Sequence, residues 1–175
     1  GVQTCALPIS SSGPLTDDTI ELGLAFLAGQ QQADGRWTLA GFGDEEPEMV
    51  SDTAATGLSL LAFQGAGYHH LDYKCEQHVR SALRFLISNQ QDDGGLFVSG
   101  NSDAQAYAEF YSHGIAAIAL CEAYGMTQDP WLREPAQKCL DFIVQTQTII
   151  RTGDDSYGGW RYSVGMGPDT SVSGW

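Results

Sequence analysis

Apolar residues recur along the chain in three stretches that share one helical template. Ile20, Leu24, Leu27 and Ala28 stand at i, i+4, i+7 and i+8, with Phe26 at i+6 and Gln31 at i+11. Val79, Leu83, Leu86 and Ile87 repeat the spacing with Phe85 and Gln90, and Ala136, Leu140, Ile143 and Val144 repeat it with Phe142 and Gln147. The copies begin 59 and 57 residues apart. The second has a polar back of Arg80, Ser81, Arg84 and Ser88, the third one of Gln137, Lys138, Asp141 and Gln145. A stripe with a polar back predicts a helix lying over a core.

Different helices are predicted between these. "SDTAATGLSLLAF" (51–63) and "SHGIAAIALCEAY" (112–124) are apolar on nearly every face, and "PDTSVSGW" (168–175) reads as the first turns of a third. A helix that is apolar all round must be surrounded, so these form a predicted inner layer with the amphipathic helices outside. Asp52, Ser112 and Asp169 occupy matching positions at their starts and are good N-cap residues. Ala54, Ala55, Gly57, Ala116 and Ala117 would let inner helices approach closely. The one strand-like stretch, "LFVS" (96–99), is short and has no alternating partner. The fold class is therefore all-α: alternating outer amphipathic and inner apolar helices in a curved solenoid that closes into an α/α toroid, of which this chain supplies part.

Each outer helix breaks at an acidic, glycine-rich corner: "ADGRW", "DDGGLF" and, after an insertion, "DDSYGGW". Gly35, Gly94 and Gly158 permit the positive φ needed to stop a helix and reverse the chain. A large residue then returns to the core at Trp37, at Leu96 or Phe97, and at Trp160. Gln31, Gln90 and Gln147 stand where helix carbonyls lack partners, and are expected to tie one helix end to the next element.

Composition narrows the partners. Of 175 residues, 42% are hydrophobic, enough for one sizeable core, and a net charge of −14 argues against nucleic acid or an anionic bilayer. No run approaches the roughly 18 apolar residues of a membrane-spanning helix. Residues 1–10, "GVQTCALPIS", lack the basic start and apolar centre of a secretory signal and resemble a translated sequencing adapter, which puts the native start near Ser10 and leaves Cys5 out of the cysteine count. Cys75, Cys121 and Cys139 remain, odd in number and without a Cys-x-x-Cys pair, which supports neither a disulfide framework nor a zinc cage. Cys121 and Cys139 read as small buried core residues.

Phe26-Leu27, Gln31, Gly35-x-Trp37 resembles the glutamine-tryptophan repeat of squalene-hopene and oxidosqualene cyclases, with related repeats in protein prenyltransferase β subunits and in many bacterial proteins of the prenyltransferase/squalene oxidase repeat type. The resemblance spans residues 16–175, read as a partial repeat domain truncated at both ends. The first copy fits fully. The second, ending Gly94-Gly95-Leu96, lacks the tryptophan, and the third reaches Gly159-Trp160 only after an insertion.

In the cyclases the resemblance implies an Asp-x-Asp-Asp-Thr-Ala element at the start of an inner helix, whose middle aspartic acid, held neutral in a dry cavity, protonates an alkene. Here the matching stretch is Met49, Val50, Ser51, Asp52, Thr53, Ala54, with Ser51 at the donor position; Met166, Gly167, Pro168 and Asp169 depart from the pattern in the same way. Asp17-Asp18-Thr19 opens an outer helix, where acids favour the positive end of the dipole. The prenyltransferase branch implies a zinc-bound thiolate, but no Asp-x-Cys pair exists, so no metal or cofactor is expected. "GDDSYGG" (153–159) fails the spacing of an EF-hand loop, and His69 and His70, close to Gly67, read as exposed.

Five polar residues remain as cavity candidates near inner-helix N-termini: Asp52, Glu109, Tyr111, His113 and Asp169. The expected function is a cyclase-like repeat domain without the protonating acid, serving as a binding or scaffold module or an uncharacterised activity, with a hydrophobic isoprenoid or other small molecule as ligand. The alternatives are part of an active terpenoid cyclase or prenyltransferase-like enzyme whose catalytic residues lie elsewhere, and a carbohydrate-active α/α toroid, where facing carboxylates would do the chemistry.

Overall fold

A computed structural model describes residues 14–41, 50–71, 74–97, 107–147, 158–163 and 168–174. The adapter-like residues 1–10, Met49, Val98 and Ser99 of the strand-like stretch, residues 153–157 of the acidic loop, Met166, Gly167 and Trp175 lie outside them. The described residues are helical without strands: α1 (Pro14–Gln30), α2 (Asp52–Gly65), α3 (Glu76–Ser88), α4 (Glu109–Thr127), α5 (Pro130–Thr146) and the short α6 (Thr170–Ser173).

The two apolar helices, α2 and α4, pack side by side and run parallel. At their beginnings Ser51 Oγ donates to Ser112 Oγ (2.6 Å); further along, Gln64 Nε2 donates to the Ala119 carbonyl (2.8 Å). Between these points a Cβ on Gly57 would lie 3.0 Å from Ala116 Cα, so the small residues do allow the close approach. The core fills the seam with Leu60, Phe63, Ala116, Ala119 and Leu120, and with Val79, Leu83 and Leu86 from α3. Neither helix is surrounded, however. Among the described residues, Leu58 of α2 is 50% exposed, facing an open cavity, and Ile118 of α4 is 38% exposed.

α3 buries Val79, Ala82, Leu83, Phe85 and Leu86, while Gln77 and Arg84 stay exposed. α5 departs from its expected stripe: the buried positions are Leu132, Ala136, Cys139 and Phe142, whereas Leu140 and Val144 face outward. Its start is strongly specified, since Asp129 caps it, accepting from the Trp131 amide, and Pro130 supplies the first helical residue.

The corners are built alike. At the first, Gln32 N–H donates to Arg36 O and Gly35 N–H to Gln32 O; at the second, Gln91 N–H donates to Gly95 O and Gly94 N–H to Gln91 O, all at 2.9 Å. Gln31 Nε2 donates to Gly35 O (2.8 Å) and across to His78 O on α3 (3.0 Å). Gln90 Nε2 does the same to Gly94 O (3.3 Å) and to Pro135 O on α5 (3.0 Å). Gln147 Nε2 reaches Gly158 O (2.8 Å). The tryptophans close the corners by donating from Nε1 to a carbonyl of the preceding helix: Trp37 to Leu27 (2.7 Å) and Trp160 to Ile143 (2.9 Å).

Positive φ is only half of what the corner glycines supply. A Cβ on Gly35 (φ +93) would fall 2.4 Å from the Ser81 carbonyl oxygen, and one on Gly94 (φ +97) 2.1 Å from that of Lys138. Each corner is therefore pressed against the backbone of the next amphipathic helix, which explains why the glutamine can span to it.

His70 corrects the reading of the loop after α2. It is fully buried: Nε2 pairs with Asp129 (3.0 Å) and the ring meets Trp131 edge-on with centroids 5.4 Å apart, while His69 is half-buried. The loop is thereby pinned to the start of α5. Cys139 is buried, and Cys75 and Cys121 are half-buried.

Candidate functional site

A cavity of about 1130 Å³ opens between the end of α1, the segment after it, and the first turns of α2 and α4. Its walls are mainly apolar: Phe26, Leu27, Trp37, Leu39, Ala54, Ala55 and Leu58. Phe26 and Leu39 are more than half exposed, and both line this space. Polar groups enter as hydroxyls and one amide, from Gln30, Thr38, Ser51, Ser59, Tyr107, Tyr111, Ser112 and Tyr162. Among the described lining residues there is no carboxylate, imidazole, thiol or cation.

The local structure accounts for the hydroxyl end. Ser51, rather than Asp52, is the N-cap of α2, in extended conformation, with Oγ accepting from the Ala54 amide (3.1 Å). α4 begins earlier than the Asp52–Ser112 alignment implies, at Glu109, so Ser112 lies inside the helix and donates to the Ala108 carbonyl (2.6 Å). Ser51 donates to Ser112 from the neighbouring helix, and the two hydroxyls form one chain. Tyr107 and Tyr162 flank this end edge-to-face, with ring centroids 5.0 Å apart.

The five candidates are not brought together in the cavity. Tyr111 lines it. Asp169 connects to Tyr111 through Ser171: Ser171 Oγ donates to Asp169 Oδ1 (2.5 Å) and Tyr111 Oη lies 2.6 Å from Ser171 Oγ. Asp169 also caps α6, as expected, and the Ser171 hydroxyl and amide hold its carboxyl below the usual range. Asp52 sits outside the lining residues, its Oδ2 3.4 Å from Arg36 Nε while Oδ1 is buried without a hydrogen bond. Glu109 is half-buried in the first turn of α4, and desolvation raises its carboxyl.

His113 is a core residue. Nδ1 accepts the Leu96 amide (3.1 Å), and the ring packs on Phe142 with centroids 4.5 Å apart. This fixes the Nε2–H tautomer. Nε2 faces the Cys139 carbonyl, outside good hydrogen-bond geometry, and desolvation lowers the imidazole to about 4. The same job is done elsewhere by hydroxyls: Trp37 N–H donates to Thr56 Oγ1 and Trp160 N–H to Ser173 Oγ, both at 3.0 Å. In each case the helix after a corner satisfies the returning residue's amide.

Ser59, Tyr107, Ser112, Tyr162 and Ser171 were not singled out by the sequence as cavity or relay residues. Tyr107, Ser112 and Ser171 carry only the signal of proximity to a helix start, and Ser59, inside α2, and Tyr162, before α6, carry none. No cluster of three His, Cys, Asp or Glu able to hold a metal occurs among the described residues, and none of their helices is long and apolar enough to cross a membrane. No protein-family profile matches the chain, and no curated protein matches it.

Proposed function

We propose that the chain is part of an α/α toroid of the terpenoid cyclase and prenyltransferase type, and that its cavity binds a hydrophobic, isoprenoid-like molecule without protonating it. The observation that carries this reading is the large apolar cavity beside the parallel helices α2 and α4, and the resemblance to the cyclases aligns Ser51 at its edge with their acid. A serine hydroxyl cannot protonate an alkene, and this one already donates to Ser112. The volume lies just above the range of small-molecule pockets, about 300–1000 Å³, and apolar walls favour long hydrocarbon chains by about 0.8 kcal/mol per buried methylene. A polysaccharide site would instead set carboxylates face to face, and Asp52, Glu109 and Asp169 all lie outside the lining residues.

The test is calorimetric titration of the protein with C15 prenyl alcohol and squalene, followed by chromatographic recovery of the ligand. Saturable binding with unchanged ligand is expected. A cyclised or transferred product would remove the non-protonating reading, and absence of binding would remove the cavity reading.

A further inference from the structure

The hydroxyls at the α2–α4 end of the cavity have a direction. Ser112 has one proton, and it goes to the Ala108 carbonyl (2.6 Å). Ser51 has one proton, and it goes to Ser112. Thr53, 3.3 Å from Ser51, must then donate to it; with the Ala54 amide this occupies both lone pairs of Ser51. Ser112 Oγ keeps one lone pair.

Tyr111 belongs to a second chain with the same polarity. Ser171 spends its proton on Asp169, whose carboxyl stays ionised, so Tyr111 must donate to Ser171. Its own oxygen is left as an acceptor. The two chains end on a carbonyl and a carboxylate, and neither can be reversed without placing a lone pair against one of those groups.

We propose that Ser112 and Tyr111 form a pair of acceptors at this end of the cavity, which selects an apolar chain ending in a hydrogen-bond donor, namely a primary alcohol, over the corresponding aldehyde or diphosphate. The inference rests on the cavity binding a hydrophobic chain, as proposed above. Ser112 and Tyr111 would accept the head-group proton, while the chain runs along Ala54 and Leu58 toward Phe26. A diphosphate would meet the lone pairs of Ser112 and Tyr111, on a protein of net charge −14.

The experiment compares three C15 prenyl compounds, alcohol, aldehyde and diphosphate, by calorimetric titration against the full chain and against Ser112→Ala. The alcohol and aldehyde share every heavy atom, so their ratio isolates the donor. The alcohol should bind about five- to tenfold more tightly than the aldehyde, the value of one neutral hydrogen bond. Ser112→Ala removes the acceptor of the Ser51 proton and turns Ser51 into a donor, so the ratio should fall toward one while circular dichroism stays unchanged. Equal affinity for the wild-type protein would mean that a donor such as Tyr107 or Tyr162 faces the head group, and would overturn the inference while leaving the cavity reading intact. Tightest binding of the diphosphate would overturn it as well. Binding of none of the three would instead refute the cavity reading itself.

Discussion

Replacing Gly94 by alanine separates two roles that a corner glycine can have. At φ +97 an alanine is strained by about 1–2 kcal/mol, and its Cβ would stand 2.1 Å from the Lys138 carbonyl oxygen. Backbone cannot turn aside as a side chain can, so α5 has to retreat by about 1.5 Å to reach ordinary contact distance. That retreat stretches the bond from Gln90 Nε2 to Pro135 O beyond its 3.0 Å, at a cost of about 1 kcal/mol, and loosens the packing of Cys139 and Phe142. The total is about 3–5 kcal/mol, or roughly 6–20 °C in Tm at about 2–4 °C per kcal/mol. Gly41 (φ +83) has open space around its missing Cβ, so Gly41→Ala carries the φ strain alone, about 1–2 kcal/mol. Gly125, inside α4 with nothing near, should gain about 0.5–1 kcal/mol as alanine. Urea unfolding followed by circular dichroism ranks the three variants. If Gly94→Ala costs no more than Gly41→Ala, the close approach of corner and helix is not what the glycine serves.

Three further predictions concern other parts of the fold. His113 is neutral and buried, with its imidazole lowered to about 4 from an ordinary 6.5, so the unfolded chain binds the extra proton between those values and stability falls as pH drops from 6.5 to 4. The loss is about 3 kcal/mol, and His113→Asn should flatten that stretch of the pH–stability curve. Gln31→Ala removes two donated bonds, to Gly35 and His78, and the 2.6 Å contact with the His78 ring; it should destabilise by about 2 kcal/mol in the same urea assay, a value near zero refuting the tie. Gln128 ends α4 at φ 53 without being glycine, so Gln128→Gly should raise Tm, reflecting a gain of about 1 kcal/mol, less whatever its bonds to the Tyr124 and Gly125 carbonyls contribute.

The sequence carried the helices and corners because their signals are local. Gln31 and Gly35, or Gln90 and Gly94, are four residues apart, and the same short turn forms wherever that spacing occurs. It carried the cavity chemistry poorly because those contacts join residues about 60 apart: Ser51 with Ser112, and Tyr111 with Ser171. Whether α4 starts at Ser112 or a turn earlier cannot be read from Ser112 itself, which would cap a helix as readily as it bonds back to Ala108. His70 shows the same limit: next to glycine it reads as loop surface, and only Asp129 and Trp131 make it interior. In α5, Leu140 and Val144 match the template, yet Leu132 and Cys139 face the core, since the face is chosen by the neighbours that arrive.

A hydrophobic chain bound in the cavity beside α2 is the central requirement of the proposed function. Ala54 lines it, and Ala54→Trp would fill the space next to Leu58 with an indole while leaving the Ser51 cap and the α2–α4 seam untouched. Titration of squalene into wild-type protein and into Ala54→Trp, with helicity checked by circular dichroism, is the direct measurement. The account predicts saturable binding to the wild type and at least tenfold weaker binding to an equally folded variant; binding undiminished by the tryptophan would contradict it.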